Sequence, residues 1–108
     1  MDELLERATA QRYASWFRAL ADPTRVQIVE YLARHARPMS VGEIVAAVGL
    51  AQSTVSQHLK ILTEVRFVLV DPVGTARHYR INDACVGCFP SAADVVMGRP
   101  APHPSGAC

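Results

Sequence analysis

Four residues, Gly49-Leu50-Ala51-Gln52, separate two stretches that each carry helical periodicity. So short a link, opening on glycine, makes consecutive helices turn sharply against one another. The first stretch begins Ser40-Val41-Gly42-Glu43, with serine and glutamate at capping-box spacing, and sets Ile44, Val45 and Val48 on one side before Gly49. That pattern predicts a short helix ending in a left-handed residue. The second stretch takes Ser53 or Thr54 as N-cap, and Thr54 with Gln57 again fits the box. At about 100° per residue, Val55, Leu59 and Leu62 share one side while Ser53, Ser56, Gln57 and Lys60 gather opposite. One helix of the pair is left with a spare face that is short, polar and mildly basic.

The flanking segments complete an architecture. Leu4, Leu5, Ala8, Trp16, Phe17 and Leu20 recur with helical spacing over residues 3–20. Asp22-Pro23 then reads as an N-cap followed by proline at the first helical position, with Val26, Val29 and Leu32 as the buried stripe of a helix that ends before Pro38. Residues 67–70 and 76–81 read as strands joined through 71–75, a hairpin with a basic return strand. Asn82 or Asp83 caps a short turn carrying Cys85 and Cys88, and Pro90 opens a last helix through Ala92, Val95 and Val96 toward Gly98. The expected fold is mainly α with a two-stranded β-wing: a winged helix-turn-helix. At 108 residues the chain supports one core rather than two. We therefore assign residues 1–98 to a single domain and 99–108 to a proline-rich tail ending in Cys108.

Such a face can read base edges and grip phosphates in a major groove. Gln57 is the candidate base reader and Lys60 the phosphate contact, with Gln52, Ser53, Thr54 and Ser56 beside them. Arg77, His78 and Arg80 of the hairpin would flank the site, and Arg66 adds a positive charge beside the wing. His58 falls toward the core edge of the helical wheel and is left out of the reading set. The plain alternative is a solvated polar surface, with Gln57 spent on its own helix start. A net charge of +1 does not decide, because the relevant charge can be local to one face.

Ala21-Asp22-Pro23-Thr24-Arg25, then Ser53-Thr54-Val55-Ser56-Gln57-His58-Leu59-Lys60-Ile61-Leu62, then a hairpin ending Tyr79-Arg80-Ile81, resembles the ArsR/SmtB family of winged-helix repressors over roughly residues 12 to 82. The resemblance implies a cytoplasmic homodimer built on the first and last helices. It further implies binding to an imperfect palindrome in the chain's own promoter and release when an effector binds. A two-fold dimer with two recognition helices suits palindromic half-sites. Three departures from the family pattern stand out. Residues 38–43 hold no cysteine where many members carry a pair. The last-helix region offers Asp94 but not the carboxylate and histidine set that binds zinc in other members. Arg66 stands where glycine is usual, so the recognition helix must end differently or Arg66 must take an unusual conformation.

The cysteines then become the effector question. Three thiols in one chain argue against a disulfide framework. Cys85-x-x-Cys88 is half of a structural zinc site, and no second pair exists to close it. The tail from Gly98 to Cys108 can stretch roughly 33 Å, enough to bring Cys108 to the pair in its own protomer or the other. A three-thiolate site suits As(III) or Sb(III), as the resemblance also implies. Zn(II) or Cd(II) would want a fourth ligand, which His103 can supply. Closure of the pair to a disulfide or persulfide is a metal-free alternative, and small buried hydrophobes are another. Drawing Cys108 onto the pair would reorganise the last helix and change the spacing of the recognition helices.

An enzyme is disfavoured: the βαβ setting of a thiol oxidoreductase is missing, and no nucleophile, base and orienter group is legible. An architectural DNA binder or a protein-interaction winged helix stays open. No basic region leads into an apolar run at the start, and no apolar stretch approaches the roughly 20 residues of a membrane span, which fits a cytoplasmic protein.

Overall fold

The computed structural model describes residues 3–100. Its elements follow in the order α1 (Arg7–Ala19), α2 (Pro23–His35), β1 (Met39–Ser40), α3 (Val41–Val48), α4 (Gln52–Glu64), β2 (Val68–Val73), β3 (Ala76–Ile81) and α5 (Cys85–Val96).

Local chemistry sets most of the helix ends. Asp22 caps α2, its carboxylate accepting from the Thr24 and Arg25 backbone N–H groups, and Pro23 follows at the first position, where its missing N–H costs nothing. Ser40 and Glu43 form the full reciprocal box at the start of α3, which stops at Gly49 with φ of 77°. The end of α4 follows the same logic without a glycine. The Phe67 N–H reaches back to the Leu62 carbonyl and the Arg66 N–H to that of Thr63, with Arg66 left-handed at φ 64°. This is a Schellman closure built on arginine. The unusual backbone anticipated at Arg66 is present.

Several expectations give way. α1 starts at Arg7 rather than residue 3, and Leu4 stands almost wholly exposed. The α2 stripe is Ile28 and Leu32, both fully buried, whereas Val26 is 47% exposed. Neither Ser53 nor Thr54 caps α4: the N-cap is Ala51, without a side-chain bond, and both hydroxyl residues sit in the first turn. The strand β2 continues through Asp71, Pro72 and Val73, expected in the loop, so that only Gly74 and Thr75 separate it from β3. Met39 and Ser40 add a short strand against Tyr79 and His78, which makes a three-stranded sheet of order β1-β3-β2. Pro90 does not open the last helix but lies inside α5, which begins at Cys85. The two cysteines therefore occupy a helix and not a capped turn before one.

Val55, Leu59 and Leu62 of α4 are wholly buried, as are Ile44 of α3 and Ile28 and Leu32 of α2. This core holds the helix pair against the sheet. A second, aromatic layer joins α1 to α5 through the α4 exit: Trp16 meets Phe67 at 6.3 Å, Phe67 meets Phe89 at 5.3 Å, and Phe89 meets Phe17 at 5.4 Å between ring centroids.

Candidate nucleic-acid interface and cysteine pair

With its apolar row buried, α4 turns Gln52, Ser53, Thr54, Ser56, Gln57 and Lys60 to solvent, all of them exposed. These residues divide by direction. Gln52, Ser56, Lys60 and Thr63 recur along the side that faces the hairpin, where they form one wall of a groove of about 620 Å³; Thr75 and Arg77 stand on the other wall. Ser53 and Gln57 point further outward, by the 100° rule. Sequence reasoning missed Thr63 and the α3 start, Val41 and Gly42, which lie at the groove. The signal that would have found them is the β1–β3 pairing, since it carries the first turn of α3 to the wing.

Strand alternation separates the three basic wing residues. Arg77 shares a face with Tyr79 and lines the groove. His78 and Arg80 fall on the opposite face, and Arg80 is held there by a 2.8 Å bond from Nε to Asp71 Oδ2 on β2. Arg66 lies at the far end of α4 from Gln52. Its left-handed turn places it beside α5 rather than in the groove.

That neighbour is Cys85. The thiol donates to the Arg66 carbonyl at 3.4 Å, and Asn82 Nδ2 donates to the same oxygen at 2.8 Å. Burial pushes the Cys85 thiol above its ordinary value, and the Arg66 guanidinium pulls less strongly the other way. A helix N-terminus favours a thiolate, but here desolvation wins. Cys85 is a free thiol that also edges an apolar cavity of about 220 Å³ with Leu20, Val29, Phe67 and Phe89. Cys88 follows three positions later on the same helix, 4% exposed and disulfide-bonded, so the expectation of three thiols without a disulfide gives way here. Cys108 and His103 lie outside the described residues. Among the described residues no group of three His, Cys, Asp or Glu side chains is placed to hold a metal ion, and no helix is long and apolar enough to cross a membrane.

Residues 22–69, from the α2 cap through the first residues of β2, match the family model described as bacterial regulatory protein, arsR family. The chain is 44% identical over 66 residues to the HTH-type transcriptional regulator Rv2034 of Mycobacterium tuberculosis, covering 61% of this chain and 60% of that protein. It is 36% identical to a probable mercury resistance operon repressor of Streptomyces lividans, covering 78% and 61% respectively. To the arsenical resistance operon repressor of Bacillus subtilis it is 32% identical, covering 68% and 69%. Among solved structures it is similar to the homodimeric winged helix-turn-helix DNA-binding domain of Mb0332 from Mycobacterium bovis, at 29% identity and TM-score 0.68 over 91% of each chain. The chain spans about 60% of the length of the first two of these relatives.

Proposed function

The chain belongs to the ArsR family of transcriptional regulators, whose members are not enzymes, and on that footing we propose that it is a homodimeric DNA-binding repressor. In this reading α4 enters the major groove of an imperfectly palindromic operator and Arg77 grips the flanking backbone. The observation that carries it is the groove between α4 and the wing: one wall of hydroxyl, amide and ammonium groups, the other carrying an arginine. A merely solvated helix needs no facing wall. Gln57 reads a base, Lys60 and Arg77 neutralise phosphates, and Gln52, Ser53, Thr54 and Ser56 complete the contact. His78 and Arg80 serve the outer flank of the wing, while Arg66 serves the effector end of α4.

The effector is a thiophilic ion, As(III) or Sb(III), taken by Cys85 and Cys88 together with Cys108 once a cellular thiol reductant has opened the disulfide at Cys88. Support comes from the chemistry of the donor set and from the arsenical and mercury repressors among the relatives. The route to DNA runs through Arg66. An ion on Cys85 replaces the S–H proton, so the Arg66 carbonyl loses one of its two donors at the point where α4 turns into the wing. Movement of α5 also pulls Phe89 against Phe67. Release follows if the ion binds the DNA-free conformation more tightly. Zn(II) or Cd(II) with His103, and oxidation of the thiol pair, are the competing triggers.

The test of the DNA reading is a competition assay with the chain's own promoter fragment, comparing wild type with Gln57→Ala. The variant should lose preference for the operator over scrambled DNA while keeping non-specific affinity. Equal preference in both proteins would place the reading elsewhere.

A further inference from the structure

Arg25 and His58 are distant in sequence and meet in space, with Arg25 Nη1 3.2 Å from His58 Nδ1. The guanidinium is otherwise spent on the end of α1: Nε donates to the Ala19 carbonyl at 2.6 Å and Nη2 reaches that of Arg18 at 3.5 Å. The Arg25 backbone is itself pinned, its N–H donating to Asp22 Oδ1 at 3.1 Å. One side chain thus closes the C-terminus of α1 and offers a further donor to α4, on the flank of that helix away from the wing.

Direction follows from the donors. A guanidinium has no acceptor and stays protonated, so His58 Nδ1 must receive the bond. The imidazole is then neutral, with its proton on Nε2. Protonating it sets N–H against N–H and cation beside cation. Two charged groups from the start of α2 act on His58, the Arg25 guanidinium by direct contact and the Asp22 carboxylate through space. Asp22 is held below the usual carboxylate range, chiefly by the Arg25 backbone N–H, and stays ionised wherever imidazoles titrate. Its pull on an imidazolium is therefore constant and acts through space, whereas the Arg25 contact is direct and reverses sign.

We propose that Arg25 and His58 form a pH-sensitive positioning contact for the recognition helix: neutral His58 docks α4 on the α1–α2 corner, and protonation frees that flank and weakens operator binding. The buried row Val55, Leu59 and Leu62 sets how deep α4 sits. A contact on its flank sets how it is rolled, and base reading tolerates only about 10–20° of misalignment. His58 touches no DNA in this account. The inference rests on the reading of α4 as the DNA-contacting helix.

The experiment titrates operator affinity of the full chain and of His58→Gln from about pH 8 to about pH 5.5, at fixed ionic strength, across the range in which imidazoles change charge. Glutamine offers Arg25 a carbonyl acceptor that does not titrate. The other histidines are common to both proteins, so the difference between the profiles belongs to His58. The two should agree within about threefold at the upper end, and wild type should fall about tenfold relative to the variant at the lower end, as a charge-assisted bond is lost. Parallel profiles would overturn the proposal. Absence of wild-type binding near pH 8 would remove the DNA reading, and this inference with it. Should His58→Gln not fold, the wild-type imidazole ¹⁵N shifts decide: a bare Nδ1 near pH 8 is expected, and a protonated Nδ1 would overturn the contact.

Discussion

The Cys85 thiol donates to the carbonyl oxygen of Arg66, joining the first residue of α5 to the left-handed residue that closes α4. The bond ties the start of α5 to the end of α4 within one protomer, so chemistry at Cys85 has a short mechanical path to α4.

Replacing both Cys85 and Cys88 by serine should therefore separate binding from response. The hydroxyl that takes the place of the Cys85 thiol still donates to Arg66, so operator affinity stays within about threefold of wild type, a fraction of the energy of one hydrogen bond. Release by arsenite should disappear. Anisotropy titration of labelled operator measures both, and an unchanged arsenite response in the double variant would misplace the sensor.

The wing offers a sharper contrast. Arg77 lines the groove, whereas Arg80 lies on the other face, bonded to Asp71. Arg77→Ala should lower the slope of log affinity against log salt by about 0.9 per lost phosphate contact, hence roughly two for a dimer. Arg80→Ala should leave the slope nearly unchanged. Equal losses would mean that the wing lies on DNA by its other face.

Buried and exposed residues alternate along α4, and stability separates them. Leu59 is fully buried, so Leu59→Ala should cost about 2–5 kcal/mol in urea unfolding. Gln57→Ala, at an exposed position, should stay within about 0.5 kcal/mol of wild type. A large stability loss at Gln57 would show that the residue is structural.

Arg66 has two effects that one substitution exposes together. Its left-handed backbone carries a strain of about 1 kcal/mol that glycine does not, so Arg66→Gly should stabilise the fold by up to that amount. It also removes the cation that lowers the Cys85 value. The thiol should then alkylate more slowly at neutral pH, read at the Cys85 peptide by mass spectrometry. The raised thiol value also fixes the sign of its linkage to folding. The folded chain holds this proton more tightly than the unfolded one, so the contribution is fully present below the unfolded thiol value of about 8.5 and is lost as pH rises through the folded value.

How much of this was legible beforehand depended on whether the cause was local. The Asp22 and Ser40 caps and the Gly49 stop are set within four residues, and all three stand as read. The buried row of α4 was legible too, since a single apolar stripe allowed one orientation. Residues Met39 and Ser40 become a strand only because Tyr79 and His78 pair with them, which no local pattern announces. Pro72 looked like a loop residue; it is tolerated in β2 because β2 lies at a sheet edge, where a missing N–H costs no ladder bond. Pro90 misled in the other direction. Proline usually marks a helix start, but here Cys88 and Ala92 are buried on either side of it and packing carries α5 past the missing bond. On the wing, composition counted three basic residues alike, and only the strand register showed that Arg77 faces α4 while Arg80 does not.

One titration decides whether the helix-and-wing groove reads an operator and a thiophilic ion makes it let go. The reduced full chain is bound to its promoter fragment at fixed salt, and arsenite, antimonite, zinc, cadmium and a mild oxidant are added in separate series. Binding at least about 10³-fold tighter than to scrambled DNA is expected, with release by arsenite or antimonite at concentrations near those of the thiols. Equal affinity for operator and scrambled DNA would contradict the reading of α4, and an operator complex that survives both metalloids would contradict the assignment of the thiols.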